Sequence, residues 1–528
     1  MPSMLRSFSA ALVPVALFAL ASILSLGVSA PSLSAQSFVD ATVAAGLVAD
    51  HNALDTITGQ AWGDFNRDGC PDLYLTDNLG PNRLYQNDCD GTFSLASFAA
   101  VAELTTKVSA GAAWADYDND GWLDLYVGAK GGGTLFRNMN GTMFEDVTVA
   151  AGVADTTGLA TSVAWGDVDA DGWLDLYVVN YYDPGAEEGE DRLFRNNADG
   201  SFTDVSQWLG DGTARSRPGF VARFLDIDFD GDQDIYVVND KQVGNPLWRN
   251  DGGGCGGWCF TEVSEATGAD RPVCGMGVAV GDYDGDLDWD LYFSSIDEQV
   301  LLASQRDLGT DDFIEVTDAA GVNSVSIGWG SAFFDYDNDT WPDLFLSTMN
   351  ADPADRLFHN LGNGTFEDVS AGSGASDSRG TLGVTAADYD GDGRVDLIVG
   401  NINDEYTLLR NIDADAADNS WVGLRFSGRG TINRDALGTI VEVHTSGGRV
   451  LLDDVHSGSS LGGNHDLTLH FGLAADIVTD VVVTWPSGVV QNLGALAAET
   501  IHEVVYPDLF SGGFEGGSTA GWTVFGGV

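Results

Sequence analysis

The chain has 528 residues, with 80 Asp and Glu against 23 Lys and Arg, a formal net charge of −57. A surface so strongly negative repels nucleic acid and anionic lipid, which excludes both as partners. Hydrophobic residues still make up 44 % of the chain, too many for a disordered acidic sequence, and 68 glycines predict tight turns between short strands.

The amino terminus reads as an export signal. Arg6 precedes an apolar run from Ala11 to Ala30, and cleavage is expected after Ala35, because Pro31 is a poor residue to follow a cut after Ala30. A retained membrane anchor is the alternative, disfavoured by Pro14 within a span of marginal length. No later segment is long and apolar enough to cross a membrane. The mature chain is therefore expected to be soluble, secreted or on the cell surface, with a periplasmic location left open. Export also means an oxidising compartment, in which the five cysteines are free to pair.

Beyond the signal, one acidic pattern occurs seven times, starting at Asp64, Asp116, Asp167, Asp226, Asp282, Asp335 and Asp388, at intervals of 51 to 59 residues. It reads D-x-[DN]-x-D-G-x-x-D and runs directly into an apolar strand, as in "DYDNDGWLDLYV" from Asp116. Side chains at positions 1, 3, 5 and 9 and the carbonyl of position 7 make an oxygen-only set that suits a hard divalent cation, Ca²⁺ better than Mg²⁺. The first loop offers Asp64, Asn66, Asp68, Asp72 and the carbonyl of Cys70; the second Asp116, Asp118, Asp120, Asp124 and Trp122. The third offers Asp167, Asp169, Asp171, Asp175 and Trp173; the fourth Asp226, Asp228, Asp230, Asp234 and Asp232. The fifth offers Asp282, Asp284, Asp286, Asp290 and Asp288; the sixth Asp335, Asp337, Asp339, Asp343 and Trp341; the seventh Asp388, Asp390, Asp392, Asp396 and Arg394.

An EF-hand is the wrong reading, since a strand follows at once and no Glu stands at position 12. Metal-free, solvated turns would explain a single copy, but not seven. Up to seven Ca²⁺ ions are expected. Leu287 and Thr340 hold position 6, where a positive φ is strained, so the fifth and sixth sites are those least expected to fill.

Each repeat carries four strand candidates. The first ends at Asp116, the second starts at Asp124, the third at Thr134, and the fourth follows a turn at Asn140. A repeat of this length and content predicts propeller blades. The seventh repeat has no fourth strand after Thr407, but the segment from Gln36 to Leu47 matches the missing element and would close the ring. The expected fold is all-β, a seven-bladed propeller followed by a small β-rich domain.

The seven loops, each entered from a strand such as "GQAWGD" or "GVAVGD", resemble FG-GAP/VCBS repeat proteins, the propellers that include the integrin α-subunit head. That likeness covers residues 36–412. A polar linker at 413–419 leads to residues 420–506, where "NRDALGTIVEVHTSGGR", "HSGSSLGGNHDLTLHFGL" and "VVVTWPSG" resemble the ASPIC/UnbV domain of the cartilage acidic protein family and its bacterial relatives. Residues 507–528 form a glycine-rich tail. The resemblance implies a secreted calcium-binding propeller and brings no catalytic residues with it. The five histidines past residue 440 read as satisfied or solvated, and "SGSS" at Ser457 reads as a turn, not a nucleophile elbow.

For the cysteines, pairing Asp77 with Arg83 across the first hairpin sets residue 71 opposite Cys89, one position from Cys70. A Cys70–Cys89 disulfide is therefore expected, with Cys255–Cys259 as a second pair and Cys274 free. The function expected is that of a non-enzymatic binding or adhesion module for an extracellular protein or glycan. Two alternatives stand beside it. One is an enzyme with its site in the propeller channel or the interdomain cleft, and the other a subunit that assembles with copies of itself.

Overall fold

A computed structural model describes residues 36–51, 57–96, 104, 107–155, 158–181, 189–210, 212–254, 258–296, 298–349 and 354–507. The expected signal segment, Cys255 and the tail from residue 508 lie outside them. Blade two shows how a repeat becomes a sheet. Its strands Ser109–Ala115, Asp124–Ala129, Thr134–Asn138 and Phe144–Asp146 pair antiparallel in sequence order, with Ala113 opposite Tyr126 and Leu125 opposite Phe136. Leu125, Tyr126 and Val127 point alternately to the two faces, yet all three are fully buried, because neighbouring blades cover both faces. Seven such four-stranded sheets are present among the described residues. The seventh is completed by Phe38–Asp40, which pairs with Thr407–Asn411 through Phe38–Asn411 and Asp40–Leu409, so the amino-terminal strand closes the ring.

A side chain that looks incidental in the sequence joins the blades. The third strand ends in a buried Asn whose amide crosses to the preceding blade and donates to the backbone carbonyl after that blade's first loop Asp. The bonds are Asn138 to Phe65 (2.9 Å), Asn196 to Tyr117 (2.8 Å), Asn250 to Val168 (2.8 Å), Asn360 to Tyr283 (2.8 Å), Asn411 to Tyr336 (2.7 Å) and, across the closure, Asn87 to Tyr389 (2.8 Å). In blade five Ser304 takes the position, and that interface instead stacks Phe229 on Trp289 at 5.8 Å. Asn138→Ala is expected to cost about 1–3 kcal/mol, the range for orphaning a buried carbonyl, in urea unfolding. A loss below roughly 0.5 kcal/mol would remove the Asn from the account of what holds the ring.

Residues 420–507 form two further sheets. Ser420–Ser427 lies between Leu469–Ala474 and, in parallel, Ile501–Val505. The other sheet runs Val450–Asp454, Ile440–Thr445, Val478–Thr484, Val490–Asn492. Val422, Leu424, Val441, Val443, Phe471 and Trp485 pack within one core. No described helix is long and apolar enough to cross a membrane.

The loop from His456 to Asp466 leaves these sheets and enters the propeller. Leu461 is fully buried at the axis, against Ile57, Ala110, Leu159, Phe220, Met276, Trp329 and Leu382, one residue from each blade in turn. Backbone bonds fasten it on several sides: Trp62 N–H donates to Asn464 O (3.0 Å), Ala112 N–H to Gly462 O (3.1 Å) and Ser460 N–H to Val278 O (2.9 Å). Gly462 sits at φ +65°, where an added Cβ would come within 3.0 Å of Thr58 O. The "SGSS" segment, expected to be a turn, leads into one: Ser459 bridges Gly463 and Ser460 bridges Val278 on either side of a turn at Leu461 and Gly462, and the loop as a whole is a buried plug. The channel considered above as an enzyme site is filled by this plug.

Residues 414–418, expected to belong to a linker, form a short helix. Asp413 caps it, its carboxylate accepting from Asp415 N–H at 2.8 Å, and Asn419 donates to Asp337 O at 2.8 Å. Local capping and a contact with the sixth acidic loop order a segment whose composition alone is that of a spacer.

Candidate metal centres

All seven acidic loops adopt one backbone frame. The position 1 carboxylate accepts the N–H groups of positions 5 and 6, for example Asp64 from Asp68 (3.0 Å) and Gly69 (2.9 Å), and Asp388 from Asp392 (3.0 Å) and Gly393 (2.8 Å). The position 5 carboxylate accepts from position 7, as Asp120 does from Trp122 at 3.0 Å. Position 9 is the deepest. Asp72, Asp124, Asp175, Asp343 and Asp396 are 0 % exposed, and each accepts the N–H of the third-strand Asn, as Asp175 does from Asn196 at 2.7 Å. The same aspartates that could hold a cation thus also hold the loop and the strand beyond it.

One oxygen recurs without a partner. Oδ1 of position 3 is buried and makes no hydrogen bond in Asp169, Asp228, Asp284, Asp337 and Asp390, that is, in loops three to seven. In the second loop it is Asp124 Oδ2, and in the fifth Asp288 Oδ1 joins Asp284. Burial pushes the carboxyls of Asp167 up to about 8 and of Asp226 and Asp388 to about 7, with the loop amides pulling the other way and neighbouring aspartates adding to the rise. Ligand-capable atoms of Asp116, Asp118 and Asp124, of Asp167, Asp169 and Asp175, and of Asp337, Asp343 and His359 lie within 4.8 Å of one another. An ionised carboxylate has about four acceptor positions, so the amide bonds leave room for a cation.

Third-strand cations also reach into the loops, which the sequence reading missed. Arg137 meets Asp118 (2.7 Å) and Asp120 (3.3 Å), Arg410 meets Asp390 (2.6 Å) and Asp392 (3.0 Å), and Arg195 pairs with Asp169 and Asp171. His359 faces Asp337 and Asp343 at 3.4 and 3.2 Å. The signal was in the echoed "RN" and "HN" strand ends, but nothing local says which way those side chains point.

The loops are not equivalent. In the first, the Asn66 amide donates to Asp68 at 2.8 Å, and the Cys70–Cys89 disulfide (Cα–Cα 5.7 Å) flanks the turn, so neither sulfur is a free thiolate. The strand register that led to this pair needs correction. Arg83 pairs with Leu75, not Asp77, which sets residue 69 rather than 71 opposite Cys89 and still leaves Cys70 one position away. Asp77 leaves the ladder because its carboxylate accepts Leu79 and Gly80 N–H (2.9 and 2.8 Å), closing the turn early. Cys259 is disulfide-bonded and Cys274 is free, while the expected partner Cys255 lies outside the described residues.

Leu287 and Thr340 take φ of +70° and +86°, the conformation glycine holds in the other five loops, and their N–H groups still reach Asp282 (3.2 Å) and Asp335 (2.9 Å). Substitution of the partly exposed Leu287 by Gly is expected to raise stability by about 1 kcal/mol in urea titration with excess calcium, by removing left-handed strain. A decrease would show that its side chain, not its backbone, matters there.

The carboxy-terminal sheets rest on these loops. Asp435 accepts Asp116 N–H at 2.6 Å, Asn119 accepts Arg434 N–H at 2.8 Å, and Asn338 O accepts Ala474 N–H at 2.7 Å. His470 Nε2 meets Asn338 Oδ1 at 2.8 Å, and His465 Nδ1 accepts Ala386 N–H at 2.9 Å, so these two histidines are satisfied as expected.

Fold and loops together define a seven-bladed propeller whose acidic turns all face one appended β domain. Residues 64–127, 116–178, 184–237, 226–293 and 335–399 match the FG-GAP-like repeat, and residues 429–509 match ASPIC and UnbV; the repeats span more than half of the chain, which belongs to the FG-GAP-like repeat family. Cartilage acidic protein 1 of Mus musculus is 26 % identical over 478 residues, covering 83 % of this chain and 70 % of that protein. The Homo sapiens protein is 25 % identical over 508 residues, 87 % and 73 % respectively. Among solved structures, BBS1N in complex with ARL6DN aligns over 72 % of this chain and 98 % of its own, at 10 % identity and a TM-score of 0.44.

Proposed function

We propose that this chain is an exported, calcium-binding propeller that serves as a binding module for an extracellular protein or glycan. The observation that carries the calcium part is the position 3 oxygen, buried and without a hydrogen-bond partner in five consecutive loops. A buried carboxylate oxygen left alone costs about 1–3 kcal/mol or more, and five repeats of one such cost at one position point to a common ligand. Asp167, Asp169, Asp171 and Asp175, and their counterparts in the other loops, would hold the ion. An all-oxygen donor set on a tight turn favours Ca²⁺ over softer metals. In the first loop Asn66 replaces a carboxylate and turns its amide to Asp68, so that site is expected to be the weakest on donor charge.

Export rests on the leading apolar segment and on two cysteines held in a disulfide. Similarity to cartilage acidic protein 1 along most of the chain supports an extracellular propeller-type module. Among the described residues no catalytic constellation recommends the enzyme reading, and the plug at the axis speaks against its channel variant. Native mass spectrometry of the mature protein in calcium is the test. Four to seven bound ions, lost on chelation, are expected; fewer than four would overturn the assignment of the loops.

A further inference from the structure

Between the loop ends of blades one, five, six and seven and the carboxy-terminal sheets lies a cavity of about 410 Å³. That volume is within the range of small-ligand sites at domain boundaries. The position 1 carboxylates at its edge are already turned to their own loops, Asp282 accepting Asp286 N–H (3.0 Å) and Asp335 accepting Asp339 N–H (3.0 Å). Two of its three arginines are engaged as well, Arg223 with Asp454 at 2.5 Å and Arg425 with Glu503 at 3.5 Å.

What remains for a ligand is a balanced set of donors and acceptors. Ser459 is 4 % exposed and its hydroxyl has no partner. His465 accepts a backbone N–H on Nδ1, and burial holds its pKa near 3, so the neutral ring carries its hydrogen on Nε2 as a donor. Arg449 stacks 3.2 Å over the Trp341 ring, makes no ion pair among the described residues, and its Nε is buried and unpartnered. Asp453 and Asp466 also line the cavity and supply acceptors. Trp421, backed by His470 at 5.4 Å and 18°, supplies a stiff ring. Acidic loops surround the cavity, so an anion is repelled, and the Arg449 guanidinium, offset in part by Asp282, Asp335 and Asp339, disfavours a cation.

We propose that this cavity binds a neutral hexose-sized sugar, with hydroxyls donating to Asp453 and Asp466 and accepting from Ser459, His465 and Arg449, and its apolar face against Trp421. The proposal deepens the glycan branch of the function above and rests on that reading. Saturation-transfer NMR on the full mature chain in calcium would use glucose, galactose, mannose and their disaccharides, with glucuronate and glucosamine as charged probes. At least one neutral sugar is expected to bind, with both charged analogues at least tenfold weaker. Ser459→Ala, which removes only an unpartnered hydroxyl, and Asp466→Asn are each expected to weaken binding three- to tenfold without lowering Tm. No binding by any neutral sugar, or binding unmoved by both variants, would overturn it. Counting calcium on the same sample separates the two failures: a chain that holds its ions but no sugar loses only this proposal.

Discussion

In excess chelator the protein is expected to unfold about ten degrees below its midpoint in millimolar calcium. An ion bound by the folded state alone stabilises it by about 2.7 kcal/mol per site at a concentration 100 times its Kd. Four filled loops therefore contribute on the order of 10 kcal/mol. For a chain of about 500 residues the unfolding entropy corresponds to roughly 1 kcal/mol per degree, which converts that sum to about ten degrees. The loops make the effect cooperative. Asp175 and its counterparts bind the third-strand Asn, and that Asn crosses to the preceding blade, so repulsion in one emptied loop acts on two sheets. Differential scanning calorimetry with and without calcium reads this directly. An unchanged midpoint would mean that arginines such as Arg137, Arg195 and Arg410 compensate the loops by themselves.

The second large effect is expected at Leu461. Leu461→Ala should lower stability by about 2–5 kcal/mol, the range for emptying a leucine site that cannot collapse. The site is poorly able to collapse because its wall comes from seven separate blades, each fixed by its own sheet. Leu308→Ala, at a position 71 % exposed, is the control and should change stability by less than about 0.5 kcal/mol. Urea unfolding measures both. Since the plug also ties the carboxy-terminal sheets to the propeller, Leu461→Ala should make the segment around residues 413–420 more open to protease. Equal losses in the two variants would show that the plug is a surface loop in solution.

The turn expected of the acidic pattern forms for a local reason. The nine-residue acidic pattern dictates its own turn, because position 1 needs only the amides of positions 5 and 6 to close it. It holds even where Leu287 or Thr340 replaces glycine, since the amide geometry tolerates a strained residue at a modest cost. The register of the first hairpin departs from the sequence expectation for an equally local reason. Asp77 can either continue the strand or cap a turn, and the competition is decided by Asn82, whose side-chain oxygen accepts Asp77 N–H at 2.8 Å.

The sequence by itself determined the repeat, the strands on either side of each acidic loop, and the amino-terminal strand that closes the last blade. Those features follow from composition within about a dozen residues and from a period that makes every blade bury the next. Only the tertiary structure decided that Asn138 bonds a carbonyl 73 positions away, that Asp435 and Asn338 link the appended sheets to the acidic loops, and that Leu461 fills the axis. Leu461, a lone apolar side chain in a glycine-rich stretch, carries no periodicity, and the third-strand Asn recurs in the sequence without saying which carbonyl it reaches. Their burial is supplied by walls that exist only once seven blades have closed into a ring.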